Sequence, residues 1–469
     1  MNPLPQLSRR GFLAAASLAG ACATDGEAQT TTSQPVTPGG ETEATRLLKA
    51  RSAEVREEVI EVSKGVYVAV GYSASNVGLV VGTDGVIVID TAMDPPAAKR
   101  ILEQFRKLTD KPVKAVLLTH SHGDHTGGVR VFTEKDHPDV WGRSNFGSED
   151  RPLKAAGLTI QRVRGVRQGG FRLPDDQRIN NGIAPAVKPE GGEAFAPGLV
   201  PLTKTFSEER KRLEIAGVNL ELAAAPGETD DQLYVWLPGA RVLFCGDTFY
   251  KSFPNLYAIR GTPYRDVRTW AASLDKLLNE GAEHLVAGHT RPISGAKEVL
   301  QVLTDYRDAV RFVHDKTVEG MNQGMTPDQA VEYVKLPAEL ASKDYLREYY
   351  GNVSWAVRSI FSGYLGWFDG NPTNLFRLTP KEEASRLAEL AGGKDALAAR
   401  AKNALAKADN QWAAQLADFL LALDPDDAEA KRVKSGALTA LGVRCLTATG
   451  RNYYLTVAAE ILESIARKR

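Results

Sequence analysis

Residues 119–128 read THSHGDHTGG, which brings three of the chain's seven histidines and an aspartate into six positions. A surface turn has no structural use for that density, and a packed core histidine usually stands alone. The preceding run from Val113 to Thr119 is apolar and β-branched and reads as a buried strand. The cluster therefore falls where a strand gives way to a loop, and Gly123, Gly127 and Gly128 are expected to let the backbone turn sharply there. His120 and His122 alternate, so an extended backbone sends both the same way. Asp124 and His125 come after the bend and face a second point nearby. Imidazole and carboxylate are the donors that zinc and similar metals accept. The spacing suggests two metal ions a few ångströms apart, as in two-metal hydrolytic sites.

The 469 residues leave room for roughly two or three domains. Basic and acidic residues balance at 58 each, so bulk charge gives no argument for nucleic acid or another polyanion as partner. Cys22, Cys245 and Cys445 are too few for a disulfide framework. The N-terminus is more informative. Ser8-Arg9-Arg10-Gly11-Phe12-Leu13 opens an alanine-rich apolar run that is too short for a bilayer-spanning helix. Residues 1–23 therefore read as a twin-arginine-type signal peptide with a periplasmic destination, and no stable membrane span is expected. Ala21-Cys22-Ala23 offers a cleavage end. Cys22 could carry a lipid, although Leu18 stands one position too far upstream for a lipobox.

Residues 24–53 begin rich in Thr, Ser, Pro and Gly and are expected to form a disordered linker. From residue 54, GVYVAVGYSASNVGLVVGTDGVIVIDT (65–91) is a meander of strands broken by turn residues, and PPAAKRILEQFRKL (95–108) has a helical apolar period behind its prolines. Strands mixed with helices over 54–296 predict an α/β layered catalytic domain. Within it, residues 147–200 lack periodicity and read as an irregular insertion over the substrate. Residues 297–469 read as entirely helical. Residues 410–442 there resemble one tetratricopeptide-type helical pair around an Asp-Pro turn. The aromatic run VSWAVRSIFSGYLGWF (353–368) exceeds what a small bundle hides, which predicts a homodimer through this half.

A two-metal site needs further ligands. Of the remaining histidines, His289 ends an apolar run in EHLVAGHTRP at another strand-to-loop junction, whereas His137, His284 and His314 read as surface or packing residues.

HSHGDH resembles the signature of the metallo-β-lactamase superfamily, which implies an αβ/βα sandwich with metals at one edge. By that resemblance Asp247 in VLFCGDTF is the metal-bridging aspartate, His289 the last histidine ligand, and Asp90 in VIVIDT a supporting strand-end residue. APGETDDQ places Glu228 where most of the superfamily has histidine. That exchange resembles the alkyl sulfatase branch of the SDS-degrading type. NLYAIRG and YRDVRTW (255–261 and 264–270) match that branch after the bridging carboxylate, and REYYGNVSWAVRSIFSGYLGWFDGNP and GRNYYLTVAAEIL match its all-α dimerisation domain. The branch generally carries glutamate where Asp247 stands, follows it with histidines and threonines where this chain has FYKSFPN, and in its long members continues into a sterol-carrier-like domain.

The resemblance implies a binuclear zinc hydrolase that cleaves alkyl sulfate esters, small-molecule substrates, to alcohol and sulfate. His120, His122 and Glu228 would hold one zinc and Asp124, His125 and His289 the other, with Asp247 between. Asp124 also counts as catalytic. Arg260 is the expected catalytic cation for the sulfate, because a planar guanidinium matches an oxyanion with two parallel bonds. Tyr257 and Arg265 are further substrate-binding candidates. Other chemistry on the same metals (another ester, a lactone, a β-lactam or a phosphoester) is the nearest alternative. A non-catalytic metal-bearing binding protein fits less well, since a purely structural site needs no open two-metal geometry.

Overall fold

The computed structural model describes residues 41–187 and 200–467. The expected signal at 1–23 and the first part of the expected linker lie outside them. The end of the expected linker is ordered instead: Glu43–Arg51 is a helix whose N-cap, Thr42, accepts from Thr45 N. Leu48 on that helix is buried with Tyr349 and Ala448, an anchor too short to stand out in a polar segment.

Seven strands form the first sheet in chain order: β1 Glu58–Ser63, β2 Val66–Val70, β3 Val77–Val81, β4 Val86–Ile89, β5 Val113–Leu117, β6 Asp139–Arg143 and β7 Lys204–Phe206. The first four pair antiparallel and β4 to β7 run parallel. The second sheet holds β8 Arg210–Ile215, β9 Val218–Ala224, β10 Leu233–Leu237, β11 Val242–Phe244, β12 His284–Val286 and β13 Ile293–Ser294. Here only β11 and β12 are parallel.

Period-two side chains explain the layering. Val66, Val68 and Val70 of β2, with Ile87 and Ile89 of β4, meet Leu233, Val235 and Leu237 of β10 between the sheets. Alternate residues face outward: Val86 and Val88 pack under the helix Pro95–Arg106 with Ile101 and Phe105, while Tyr234 and Trp236 pack under the helices Val267–Asn279 and Ala296–Asn322. The result is an αβ/βα sandwich followed by an all-helical region. No helix among the described residues is long and apolar enough to cross a membrane.

Two expectations need adjusting. Residues 147–200 are not simply irregular, because Asp150–Ala155 and Ile160–Gly169 are helices. The second is tied by polar bonds to the 259–261 loop and, through Arg167 to Glu460 and Asn452 to Gln168 O, to the helix Ala448–Ala466, so it leaves no apolar period to read. The strands do end by Ser294, but packing runs across the expected boundary at 296/297. Trp270 and Leu285 share one apolar cluster with Tyr306, Val357 and Ile360. A separate cluster with Leu397, Leu416, Leu420 and Val433 supports the later helices. Among these, Asn410–Leu423 and Ala428–Arg444 form the helical pair read from the sequence.

Candidate metal centre

The chemistry-bearing residues collect at the carboxyl ends of parallel strands, where an open α/β sheet leaves a crevice. Asp90 follows β4, Thr119 and His120 follow β5, Asp247 follows β11 and His289 follows β12; Glu228 enters from the loop after β9. His122 caps the four-residue helix Gly123–Thr126, which carries Asp124 and His125. Gly123 lies in open space, whereas Gly127 and Gly128 act through close approach rather than through turning. A Cβ on Gly127 would lie 1.8 Å from Met93 O and one on Gly128 2.0 Å from Thr91 O.

Three overlapping groups of donors form: His120, His125 and Asp247; Asp124, His125 and His289; His122, Glu228 and Asp247. Together they contain all seven expected ligands. His289 Nε2 lies 3.2 Å from Asp247 Oδ2 and 3.5 Å from Asp124 Oδ2. His125 Nε2 lies 3.4 Å from Asp247 Oδ1, and His120 Nε2 is 3.0 Å from His122 Nδ1.

The surroundings fix which ring nitrogens point inward. His289 Nδ1 donates to Ala74 O at 2.7 Å and His125 Nδ1 to Asp90 Oδ2 at 2.8 Å. Thr119 Oγ1 gives its hydrogen to Asp90 Oδ2 and so accepts from His120 Nδ1 at 3.0 Å. Each of these imidazoles therefore turns its Nε2 toward the centre. Asp90 also accepts from Thr119 N. Bonds to a charged group contribute about 1.5–3 kcal/mol each, which offsets a burial cost of several kcal/mol for a carboxylate.

The centre is electrostatically incomplete without a cation. His125 Nε2 and Asp247 Oδ1 are buried with no hydrogen-bond partner. Burial, then neighbouring His125, holds His120 well below the usual histidine range; burial, then His120 and Arg260, does the same to His122. At His125 and His289 burial is outweighed by Asp247 and Asp124, so both are raised. Burial raises Glu228, against the pull of Arg265. A Cβ on Gly288 would lie 2.3 Å from Asp247 Oδ1 and 2.8 Å from His125 Cε1, so the cradle tolerates only glycine there. Converging imidazole nitrogens and carboxylate oxygens suit divalent metal ions of the zinc type.

Arg260 stands on the rim, with Nη2 3.3 Å from His122 Nε2. Its loop is latched by the helix Ile160–Gly169. Gln161 Nε2 donates to Gly261 O at 2.7 Å, Arg164 Nη2 to Ile259 O at 2.5 Å, and Arg260 N to Gln168 Oε1 at 2.9 Å. Tyr257 is half-buried on the same loop and makes no hydrogen bond to the ligand set. Arg265 departs from its expected substrate-facing position. It is fully buried, and Nη1 pairs with Glu228 Oε1 at 2.8 Å and donates to Asn255 O, so it braces a candidate ligand from behind. Sequence reading missed that brace and also Tyr250, whose hydroxyl lies 3.5 Å from Glu228 Oε2. The carbonyl of Ala74 carries no residue signature that could have found it. His137, His284 and His314 lie outside the cluster. His284 bonds Ser294, and His314 bonds Asp315 and Tyr364.

Residues 70–289 match the metallo-beta-lactamase superfamily and residues 326–464 match the alkyl sulfatase dimerisation family. A linear primary-alkylsulfatase of Pseudomonas sp. is 37% identical over 388 residues, covering 81% of this chain and 72% of that protein. An (R)-specific secondary-alkylsulfatase of Pseudomonas sp. is 31% identical over 420 residues, covering 87% of this chain and 63% of that protein. The solved structure of a stereoselective inverting sec-alkylsulfatase from Pseudomonas sp. is similar, with a TM-score of 0.81 at 29% identity, over 88% of this chain and 66% of that one. The chain thus spans about two thirds of the length of these relatives.

Proposed function

Because the chain belongs to the alkyl sulfatase family of metallo-beta-lactamase-fold hydrolases, we propose that it is a binuclear zinc sulfatase. In this reading it converts an alkyl sulfate monoester and water into the alcohol and hydrogensulfate. The observation that carries the reading is the guanidinium of Arg260 beside seven converging metal-ligand candidates. When bound, a pair of divalent ions at such ligands acidifies water and neutralises oxyanion charge. The chain's own residues supply the rest. Asp90, Thr119 and the carbonyl of Ala74 hold three imidazoles in the ligating tautomer. Arg265 pairs with Glu228 and holds it aimed at the centre, opposing the upward push of burial on its carboxyl. Arg260 offers two parallel N–H groups to the sulfate oxygens, a contact worth little to a neutral lactone or β-lactam.

Metal analysis of active protein should find close to two zinc-like ions per chain. Sulfate release from alkyl sulfates should vanish on chelation and return with zinc, with a β-lactam and a lactone run beside them. Full activity in metal-free protein would overturn the zinc assignment, and turnover of the neutral substrates alone would overturn the sulfatase one.

The dimer proposal rests on the match to the dimerisation family and on exposed apolar side chains that fall within it. Trp367 is 74% and Phe376 95% exposed, with Leu365 and Leu375 beside them in sequence. Sedimentation at micromolar concentration should give a dimer, and Phe376→Asp together with Trp367→Asp should shift it toward monomer. A monomeric parent protein would remove the proposal.

A further inference from the structure

The helix Ile160–Gly169 turns one polar face to the loop that carries Arg260. Gln161, Arg164 and Gln168 recur at helical spacing, which puts them together on that face. Gln161 and Arg164 donate to the carbonyls of Gly261 and Ile259, and Gln168 Oε1 accepts from the Arg260 N–H. The carbonyl of Gly261 also accepts from Arg260 Nη1 at 3.3 Å, so fixing it helps to aim the guanidinium. A Cβ on Gly165 would lie 4.0 Å from Arg260 Cδ, which places the helix beside the arginine's stem.

Gln168 differs from Gln161 and Arg164 in being held from behind as well. It is buried, and its own carbonyl accepts from Asn452 Nδ2 at 3.3 Å. Asn452 is also buried and lies on the helix Ala448–Ala466, within the region that matches the dimerisation family. The fit there is close: Gly170 ends the shorter helix at φ +66°, and a Cβ on it would lie 2.8 Å from Asn452 Cγ. Arg167 adds a second tie through Nη2 to Glu460 Oε2 at 2.7 Å. A continuous chain of contacts thus runs from the C-terminal helix through Asn452 and Gln168 to the main chain of Arg260. Neither amide belongs to the ligand set.

We propose that Gln168 is a positioning residue for Arg260: with Asn452 behind it, it sets where the guanidinium meets the sulfate group. The helical half then governs sulfate recognition without touching the substrate. This rests on the sulfatase reading. Two parallel bonds from a planar guanidinium tolerate little displacement, and a misplacement of about 1 Å at a reacting centre costs up to roughly 100-fold in rate. The Gln168 bond removes backbone freedom at the root of the side chain that must not move.

The test is a double-mutant cycle on the full chain loaded with zinc, using Gln168→Met, Arg260→Ala and both together. Methionine keeps the length of glutamine but offers no amide oxygen to the Arg260 N–H. Two quantities are read: kcat/KM for sulfate release from a short alkyl sulfate, and calorimetric binding of inorganic sulfate. Gln168→Met should lower each about tenfold in the parent. It should cost less than about twofold once Arg260 is alanine, because it acts only through the guanidinium. Metal content should stay at the parent value. Asn452→Leu removes the anchor and leaves Gln168 Oε1, so it should show the same pattern with a loss of about threefold. It decides the matter if Gln168→Met does not fold. Equal losses with and without Arg260, or losses accompanied by lost metal, overturn the proposal, since Gln168 would then support the fold in general. Sulfate binding unchanged in both variants, or absent from the parent protein, overturns it too. Coupling to Arg260 in sulfate binding, by a parent protein that releases no sulfate from esters, upholds the positioning role and defeats the sulfatase reading alone.

Discussion

His122→Ala should abolish sulfate release, by more than about a thousandfold, while leaving the fold in place. Loss of a residue that merely supports a metal ligand already costs roughly 10- to 100-fold in affinity or activity, and His122 is a candidate ligand itself. Its Nδ1 faces His120 Nε2 at 3.0 Å, and alanine would leave Glu228 and Asp247 to hold a cation without it. The structural cost is small by comparison. His122 is only half-buried, caps a helix of four residues with no side-chain cap bond, and belongs to none of the apolar clusters. Elemental analysis should show metal below the parent stoichiometry, and circular dichroism should match the parent. Retained metal with retained activity would remove His122 from the centre. Unfolding would show that the residue is needed for the fold, contrary to its position.

Arg260→Ala should lower kcat/KM for a sulfate monoester about a hundredfold, the scale for losing a donor aimed at developing negative charge. Arg260→Lys should restore only part of this, because an ammonium cannot make two parallel bonds. Metal content should stay at the parent value, since arginine is not a ligand. The loop itself should stay in place, because its latch to Gln161, Arg164 and Gln168 runs through the backbone of residues 259–261. A neutral ester should barely register the change. Equal losses on charged and neutral substrates would mean that Arg260 supports the site rather than binding the sulfate.

The parts of this molecule that could be read from sequence are those where chemistry dictates residue type. Imidazoles and a carboxylate crowded after an apolar run announce a metal site, and β-rich runs broken by turn residues announce a meander of strands, while the sandwich itself came from the family resemblance. Glu228 and Asp247 needed the family resemblance, because a single acidic residue between glycine and threonine has no signature of its own. Other features depended on tertiary approach and stayed hidden. The arginine at 265 looks like any exposed cation until Glu228 is found buried against it. Gly127 and Gly128 looked like turn formers, yet they are needed because the backbone at Thr91 and Met93 comes so close. The helix Ile160–Gly169 could not be seen from periodicity because polar side chains, rather than an apolar stripe, tie it down.

The apolar cluster joining Trp270 and Leu285 to Tyr306, Val357 and Ile360 makes the two halves poor candidates for exchange as cassettes. A graft that kept residues 54–296 and replaced everything after them would strip one face of the second sheet and its helix of their cover. Each Å² of apolar surface left in water costs about 25 cal/mol, and the face involved is the one behind Asp247 and His289. New substrate ranges are therefore accessible by altering the rim, through the Arg260 loop and the helix clasped to it, far more readily than by shuffling whole regions between relatives.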